Sequence, residues 1–508
     1  MKNGMKNETM FDGITGMKEE LIERAENYSF GEKKKRKKGV AVKWLALAAC
    51  LCLVVGVSVQ FLLPRGSCYN GGNEYQPGNG YMSYAGPAFS LNVLSDAAGI
   101  VAEREIVFDF SPYETRMITE KVGEEEKTYN QFRTESLVTD NYRLNNTTEE
   151  DITVTVSYPF VGSLRYAHEY VPTIWVNGEV METELAAGQV LVHTATDWED
   201  YQELLLDGSY LAKAYADAPE LLETVIVYRV SNMAYHGNDK KATNPTLSLE
   251  FVADYEKTRL FSFGIGGFSR NVVTGESKQH TSVPKAGDYN YDTPRYLVVL
   301  GEDIKELELQ GYRDGGCEDG EEIDGVTAKV ERLEVPLEEL LWDFYRMQWE
   351  NHDYLGEGRS EFVTDELMFD TMKKFMQESG ILSDSVSRGA WGRYEDMWSG
   401  NYLQNRVLYV SFDVTIPAQG SVQVEASMKK EASIDFDGAG RDRNGFDLVT
   451  GLGSNLEFSR QTASIKNLEF VELLGQNFGF DPANEVTQVE LDLNEPHYYI
   501  EVQRKMDE

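Results

Sequence analysis

Cysteine is scarce, with four in 508 residues, which excludes a disulfide-dense scaffold. Fourteen prolines are too few for a Pro-rich filament, and 44 glycines follow no collagen-like period. The six histidines are His168, His193, His236, His280, His352 and His497. No two stand at zinc-ligand spacing, and no His-Glu-x-x-His occurs. Basic charge is also short, at 48 Lys/Arg against 85 Asp/Glu, a net of −37. So acidic a chain is no general nucleic-acid binder, because a phosphate backbone needs a basic face. No Gly-Lys-Ser/Thr phosphate loop and no Gly-x-Ser-x-Gly nucleophile elbow appears. The motifs therefore assign no catalytic, cofactor-binding or metal-ligating residue.

What is present suits a folding chain: 41% hydrophobic and 26% charged residues. One run stands apart. From Trp44 to Leu63 the sequence is WLALAACLCLVVGVSVQFLL, without a charge. Twenty helical residues at ~1.5 Å each cross about 30 Å of hydrocarbon. Lys33, Lys34, Lys35, Arg36, Lys37, Lys38 and Lys43 crowd its N-terminal side, and on the other side only Arg65 precedes Arg104. The positive-inside rule puts the N-terminus in the cytoplasm and the long C-terminal part outside. Leu47-Ala48-Ala49-Cys50 has a lipobox form, but the apolar run continues past Cys50 where a lipoprotein turns polar. A single-pass helix is therefore the expectation. Residues 1–43 hold 11 Lys/Arg against 7 Asp/Glu, so the negative charge lies beyond the membrane. The basic cluster also favours anionic inner-leaflet lipid.

The expected organisation runs in five parts. Residues 1–39 form a cytoplasmic tail, with Phe11, Ile14, Met17, Leu21, Ile22 and Ala25 on one helical stripe. So short a helix is marginal alone and calls for a cytoplasmic protein partner or the membrane face. Residues 40–63 are the transmembrane helix, and 64–86, rich in Gly, Asn, Tyr and Pro, a flexible tether.

Residues 87–235 read as a β-sandwich-like domain with a helical insert opening at the capping box Thr196-x-x-Glu199. Residues 236–508 form a second β-rich region with a helical insert at 336–398. Two long hairpins are expected: Val138–Leu144 with Ile152–Phe160, and Val407–Ile416 with Ser421–Ser433 across Pro417-Ala418-Gln419-Gly420. Asn177-Gly178 predicts a type I′ turn. Pro336 and Glu338-Glu339 open a helix with the stripe Leu337, Leu340, Leu341, Phe344 and Met347. A second stripe of Met368, Met372, Phe375 and Met376 is closed by Gly380 and reads as packing.

Several near-motifs fail on chemistry. Gly264-Ile265-Gly266-Gly267-Phe268-Ser269 lacks the last glycine of a dinucleotide fingerprint and opens no helix. Ser427-Met428-Lys429-Lys430 matches Ser-x-x-Lys but falls in a strand. Asp435-Phe436-Asp437-Gly438 starts like a calcium loop, yet Ala439 and Phe446 stand where ligands are required. The acidic run from Asp314 to Asp324 reads as a solvated turn. Cys68 and Cys317 are the cysteines outside the apolar run, and their pairing stays open.

The segments FDGITGMKEELIERAENY, KKKRKK and WLALAACLCLVVGV resemble those of single-pass membrane proteins of Gram-positive gut bacteria with an anti-sigma-factor-like tail and anchor. SLVTDNYRLNNTTEEDITVTVSYPFVGS and GFDLVTGLGSNLEFSRQTASIKNLEFVELLGQNFGFD also resemble stretches of uncharacterised members. The zinc-binding Cys/His signature of many anti-sigma domains is absent. The resemblance implies a membrane-anchored regulatory protein. The leading expectation is an extracytoplasmic binding or sensing module for an unknown ligand, coupled to transcription through the tail. The alternatives are a cell-envelope hydrolase and a structural surface protein.

Overall fold

The computed structural model describes residues 82–84, 86–95, 97–122, 125–131, 133–190, 218–284, 293–315, 320–350, 360–382, 391–436 and 443–505. The tail helix, the apolar run 44–63, the Thr196 capping box, His193, His352, Cys68 and Cys317 lie outside them. Among the described residues no helix is long and apolar enough to cross a membrane.

The fold is mainly β, as the alternating patterns predict. The chain divides into two compact units: a smaller one of Ala216–Glu357 and Met372–Gly400, and a larger one of Arg65–Tyr215, Gly358–Thr371 and Asn401–Glu508. Strands are numbered in chain order.

The larger unit holds a sheet of seven strands. In spatial order they are β26 (Gln488–Glu490), β24 (Glu457–Lys466), β3 (Ile100–Asp109), β6 (Glu135–Asn146), β21 (Ser421–Glu431), β8 (Thr173–Val176) and β9 (Glu179–Val180). A second sheet runs β10 (Glu184–Val190), β20 (Arg406–Ile416), β7 (Ile152–Gly162) and β2 (Asn92–Val93). A third runs β1 (Met82–Tyr84), β22 (Ile434–Phe436), β23 (Arg443–Val449), β27 (His497–Arg504) and β25 (Val471–Gln476). Strand β1 falls within the stretch read as tether. Strands β4 (Arg116–Val122) and β5 (Glu125–Gln131) form a separate ribbon, and α1 (Ala167–Tyr170) is a single turn.

Neither long hairpin forms. β6 and β7 belong to different sheets, as do β20 and β21. Each predicted hairpin is instead an arch that carries the chain from one sheet to the other. The two arches lie side by side: β6 pairs with β21 from Glu135↔Glu431 to Asn145↔Ser421, and β7 with β20 from Ile152↔Ile416 to Gly162↔Arg406. Alternation identifies a buried face but not the neighbouring strand, and the 147–151 and 417–420 connections are short enough for a hairpin or an arch. The inward faces meet in one core. Tyr158 of β7 reaches across the sheets and donates to Asp140 Oδ2 of β6 at 3.1 Å, with both residues fully buried.

At the arch ends, Asn146 is the tie. Its Nδ2 donates to Glu150 O (2.8 Å) and Ile416 O (3.1 Å), while its Oδ1 accepts from Thr148 N and Oγ1 (both 2.8 Å). The type I′ turn forms as read: Asn177 and Gly178 have φ of 52° and 84°, and Trp175 pairs with Val180.

In the smaller unit a five-stranded sheet has the order β18 (Val326–Pro336), β11 (Thr224–Tyr235), β16 (Arg295–Gly301), β13 (Thr258–Phe263) and β19 (Trp391–Arg393). A four-stranded sheet runs β14 (Gly267–Arg270), β15 (Glu276–Ser282), β12 (Thr246–Val252) and β17 (Lys305–Tyr312). Between them pack Tyr228, Phe251, Leu260, Leu297 and Val299. All six residues of β13 are buried because both its faces are covered. Leu260 joins that core, whereas Phe263 stacks on Phe344 of α2 (Leu337–Glu350) with ring centroids 4.6 Å apart.

Helices α2 and α3 (Asp365–Glu378) carry the two predicted stripes, α4 spans Tyr394–Leu403, and Gly380 after α3 has φ +81°, the left-handed stop its glycine permits. The 336–398 segment is not wholly helical, however. Trp391–Arg393 is a strand that pairs in parallel with β13.

Candidate functional site

On the outward face of the seven-stranded sheet, the polar half of each alternating pattern comes together. Residues in register across a sheet share a face. Arg460, Glu103, Arg143 and Gln423 form one such row across β24, β3, β6 and β21. Thr462, Glu105, Asn141, Glu425 and Trp175 form the next, reaching β8. These residues line a concavity of about 650 Å³.

The concavity is open, and most of its polar side chains are unemployed. Trp175, Glu103, Glu105, Asn141, Gln423 and Glu425 make no side-chain hydrogen bond to another described residue. Arg143 donates through Nε to Ser421 Oγ (3.2 Å) and Arg460 through Nε to Glu490 Oε2 (3.1 Å), so each keeps its outer nitrogens for a ligand. Asn177 holds the far wall: its N donates to Gln423 O (2.9 Å) and its Oδ1 accepts from Gln423 N (3.1 Å). That clasp fixes the Trp175 strand against β21.

Directly beneath lies the opposite kind of polar cluster, buried and saturated. Arg104 donates Nε and Nη2 to the two oxygens of Asp140 at 2.9 and 2.7 Å. Its remaining N–H groups go to Ser90 Oγ (3.0 Å), Val449 O (2.8 Å) and Phe89 O (2.9 Å). Tyr142 and Tyr158 both donate to Asp140 Oδ2, and Tyr142 Oη also accepts from Leu91 N at 3.0 Å. Burial opposes the Arg104 charge, yet Asp140 more than offsets it and holds the guanidinium above its ordinary range. Burial pushes both tyrosines up, with the Asp140 charge adding to it. With its donors and acceptors met, this cluster has no capacity left for a ligand. It is a foundation for the open face.

A second hollow of about 740 Å³ in the larger unit is lined by Glu182, Glu184, Glu361, Glu366, Asp370 and Asp413, with no basic residue. Among the described residues no group of three or more His, Cys, Asp or Glu could hold a metal ion. In the smaller unit the start of α4 gathers Arg393, Glu395 and Asp396. Burial pushes the Glu395 carboxyl up, and its Oε1 accepts from Gly264 N while Arg393 stands 3.7 Å away. That contact employs the Gly264 motif structurally: β13 leads through it into β14, with no helix.

The residues singled out from sequence scatter. His168 is exposed in α1 beside Glu169, at 3.9 Å. His236 is exposed after β11, His280 lies in β15, and His497 stands 3.2 Å from Asp447 in the larger unit. Asp314 caps a loop, accepting from Thr243 N, Thr243 Oγ1 and Asn244 N. Ser427 and Lys430 lie on opposite faces of β21, with Lys430 buried. Asp437–Asp442 of the calcium-like loop lies outside the described residues.

Sequence reasoning missed the open face. Glu103, Glu105, Asn141, Arg143, Gln423 and Glu425 were visible as the polar members of three alternating strands. Only the register of strands far apart in sequence brings them together.

No protein-family model matches this chain, and no curated protein matches it.

Proposed function

We propose that this chain is a membrane-anchored extracytoplasmic binding or sensing protein, held by the apolar run 44–63, whose β-sandwich-like larger unit engages a ligand on the outward face around Trp175. The observation that supports it is the contrast between two polar clusters one sheet apart. Beneath the sheet every donor of Arg104 is used. Above it, five hydrogen-bonding side chains (Glu103, Glu105, Asn141, Gln423 and Glu425) and the Trp175 indole are left without a side-chain partner among the described residues, in a concavity of about 650 Å³. Sites for ligands combine an apolar surface with a few convergent polar groups in this way. The basic-flanked tail, with its Leu21–Ile22 stripe, carries the signal to a cytoplasmic protein partner by docking as an amphipathic helix.

The test uses the full chain in lipid nanodiscs on arrays of oligosaccharides and of peptides. Capture on either array that is lost in Trp175→Ala supports a binding face. Capture on neither, or capture indifferent to Trp175, overturns it.

A second reading has one observation in its favour. Glu105 and Glu425 flank Asn141 in the same row, two strand spacings or about 10 Å apart at Cα. Inverting glycoside hydrolysis needs two carboxyl groups about 6.5–9.5 Å apart, a span that side chains from strands two spacings apart can set. Release of reducing ends by the wild type and not by Glu105→Gln or Glu425→Gln would establish it.

A further inference from the structure

We infer that the ligand of the Trp175 face is an uncharged oligosaccharide, an inference that rests on the binding reading above and names its substrate class. Three features of the concavity converge on that chemistry.

The first is the set of hydrogen-bonding groups. Asn141 and Gln423 each present a planar amide with two donors and an acceptor, Glu105 and Glu425 present carboxylate pairs, and Arg143 and Arg460 present guanidinium edges. Neighbouring hydroxyls of a sugar ring are each donor and acceptor, spaced so that planar groups grip them two at a time. A peptide backbone would ask for a free strand edge, but these groups stand on a sheet face whose strands are paired on both sides.

The second is the indole. Trp175 ends the row beside Glu425 and is only partly buried. The C–H face of a pyranose ring is apolar and packs on an aromatic plane, while its equatorial hydroxyls point outward to polar partners. An amphipathic platform at one end of a polar row matches that pattern.

The third is charge. Three carboxylates (Glu103, Glu105, Glu425) face two guanidiniums (Arg143, Arg460), and Glu103 sits between both arginines in its row. The lining has no excess positive charge for a phosphate- or sulfate-bearing polymer, and too little negative charge for a polycation.

Length then excludes a monosaccharide. From β24 to β8 the longer row crosses four strand gaps, about 19 Å at ~4.8 Å each. That exceeds a single ring and fits a chain lying across the strands, its reducing-to-nonreducing axis along the Thr462–Glu105–Asn141–Glu425–Trp175 row.

The experiment is titration calorimetry of the full chain in nanodiscs against neutral hexasaccharides of the gluco, xylo and manno series, the matching monosaccharides, and a hexauronate as the charged control. We expect one neutral hexasaccharide to bind. Its affinity should fall about tenfold or more in Trp175→Ala and in Asn141→Ala/Gln423→Ala, partly recover in Trp175→Phe, and change little between 50 and 500 mM salt. The melting temperature of each variant, read in parallel, separates lost contact from lost fold. Binding of the hexauronate in preference, or of monosaccharide as tightly as hexasaccharide, overturns the inference. Trp175-dependent capture of peptides with no sugar bound overturns it too while leaving the binding reading standing. Capture of neither class removes both.

Discussion

Asp140 grips Arg104 with both carboxylate oxygens at 2.9 and 2.7 Å, and neither side chain is accessible to solvent. The pair sits on β3 and β6 in the middle of the seven-stranded sheet, immediately behind the strands that carry Glu103, Glu105, Asn141 and Arg143. The sheet thus carries a locked ionic cluster on one face and an open one on the other, from alternate residues of the same two strands.

A buried pair of this kind costs much to desolvate and much more to break. Asp140→Leu or Arg104→Met should each destabilise the larger unit by about 3–5 kcal/mol, because a buried partner is left uncompensated. The double variant Arg104→Met/Asp140→Leu should lose less than the sum of the singles, since it buries no orphan charge. Urea unfolding of the four proteins, followed by a signal from the larger unit, reads the cycle. Additive losses would show that the two groups stabilise the sheet independently.

A second buried charge gives a pH signature. Lys430 is fully buried, and its Nζ donates to Gly86 O (2.8 Å) and Glu431 O (2.9 Å). Burial pushes its ammonium down from 10.5 to about 8, against the pull of Glu431 and Asp447. Between those values the unfolded chain binds more protons than the native one, so stability contributed at this site rises with pH from about 8 to 10.5 and is flat below. The rise amounts to about 3 kcal/mol. Tyr142 and Tyr158 act in the opposite sense above about pH 10, because burial raises them and the native state then holds their protons longer. The difference in stability between wild type and Lys430→Met isolates the lysine. It should grow in favour of the wild type from pH 8 to pH 10, and a constant difference would refute the assignment.

How much of this was legible in sequence depends on distance along the chain. Local chemistry was read well. Asn177-Gly178 supplies the two positive φ values its turn needs and Gly380 stops α3, while α2 begins at Leu337, one residue later than read, because Pro336 still belongs to β18. Strand faces were legible too, because Val154, Val156, Tyr158 and Phe160 stand in an alternating pattern that requires a buried side. Partners were not. The pairing of β6 with β21 joins residues nearly three hundred positions apart, and nothing in either pattern names the other. The two hairpins misread as local pairs and the open face that went unseen share this cause. Strand β19 was hidden for a different reason: Trp391-Gly392-Arg393 is too short to show a period, and only the free edge of β13 makes it a strand.

The arch ends offer a third test. Asn146 is 3% exposed and serves four partners, among them Ile416 O of the neighbouring arch. Asn146→Ala would orphan a buried carbonyl and free the 147–151 turn, costing about 2–3 kcal/mol. Asn146→Asp keeps the acceptor for Thr148 but turns the Ile416 contact repulsive, so it should recover little. If the two links between sheets were independent of each other, Asn146→Ala would accelerate hydrogen exchange only near residues 147–151. Coupled arches predict faster exchange at Gln419 and Gly420 as well, whose amides donate to Thr148 O (3.0 Å) and Pro417 O (2.9 Å).

The last prediction concerns orientation, on which the extracytoplasmic reading depends. Six consecutive basic residues, Lys33–Lys38, precede the apolar run, and only Arg65 follows it before Arg104. Retention of basic flanks on the cytoplasmic side is counted over the 15–20 residues beside a span, where this asymmetry is greatest. Protease added to intact protoplasts should therefore digest the larger unit and spare an epitope placed before Met1. Replacing Lys33–Lys38 with serine leaves Lys43 against Arg65, nearly equal flanks, so a fraction of the chains should insert inverted and expose the epitope. Protease that removes the epitope from the unaltered chain, with the larger unit left intact, would reverse the assigned orientation and place the Trp175 face in the cytoplasm.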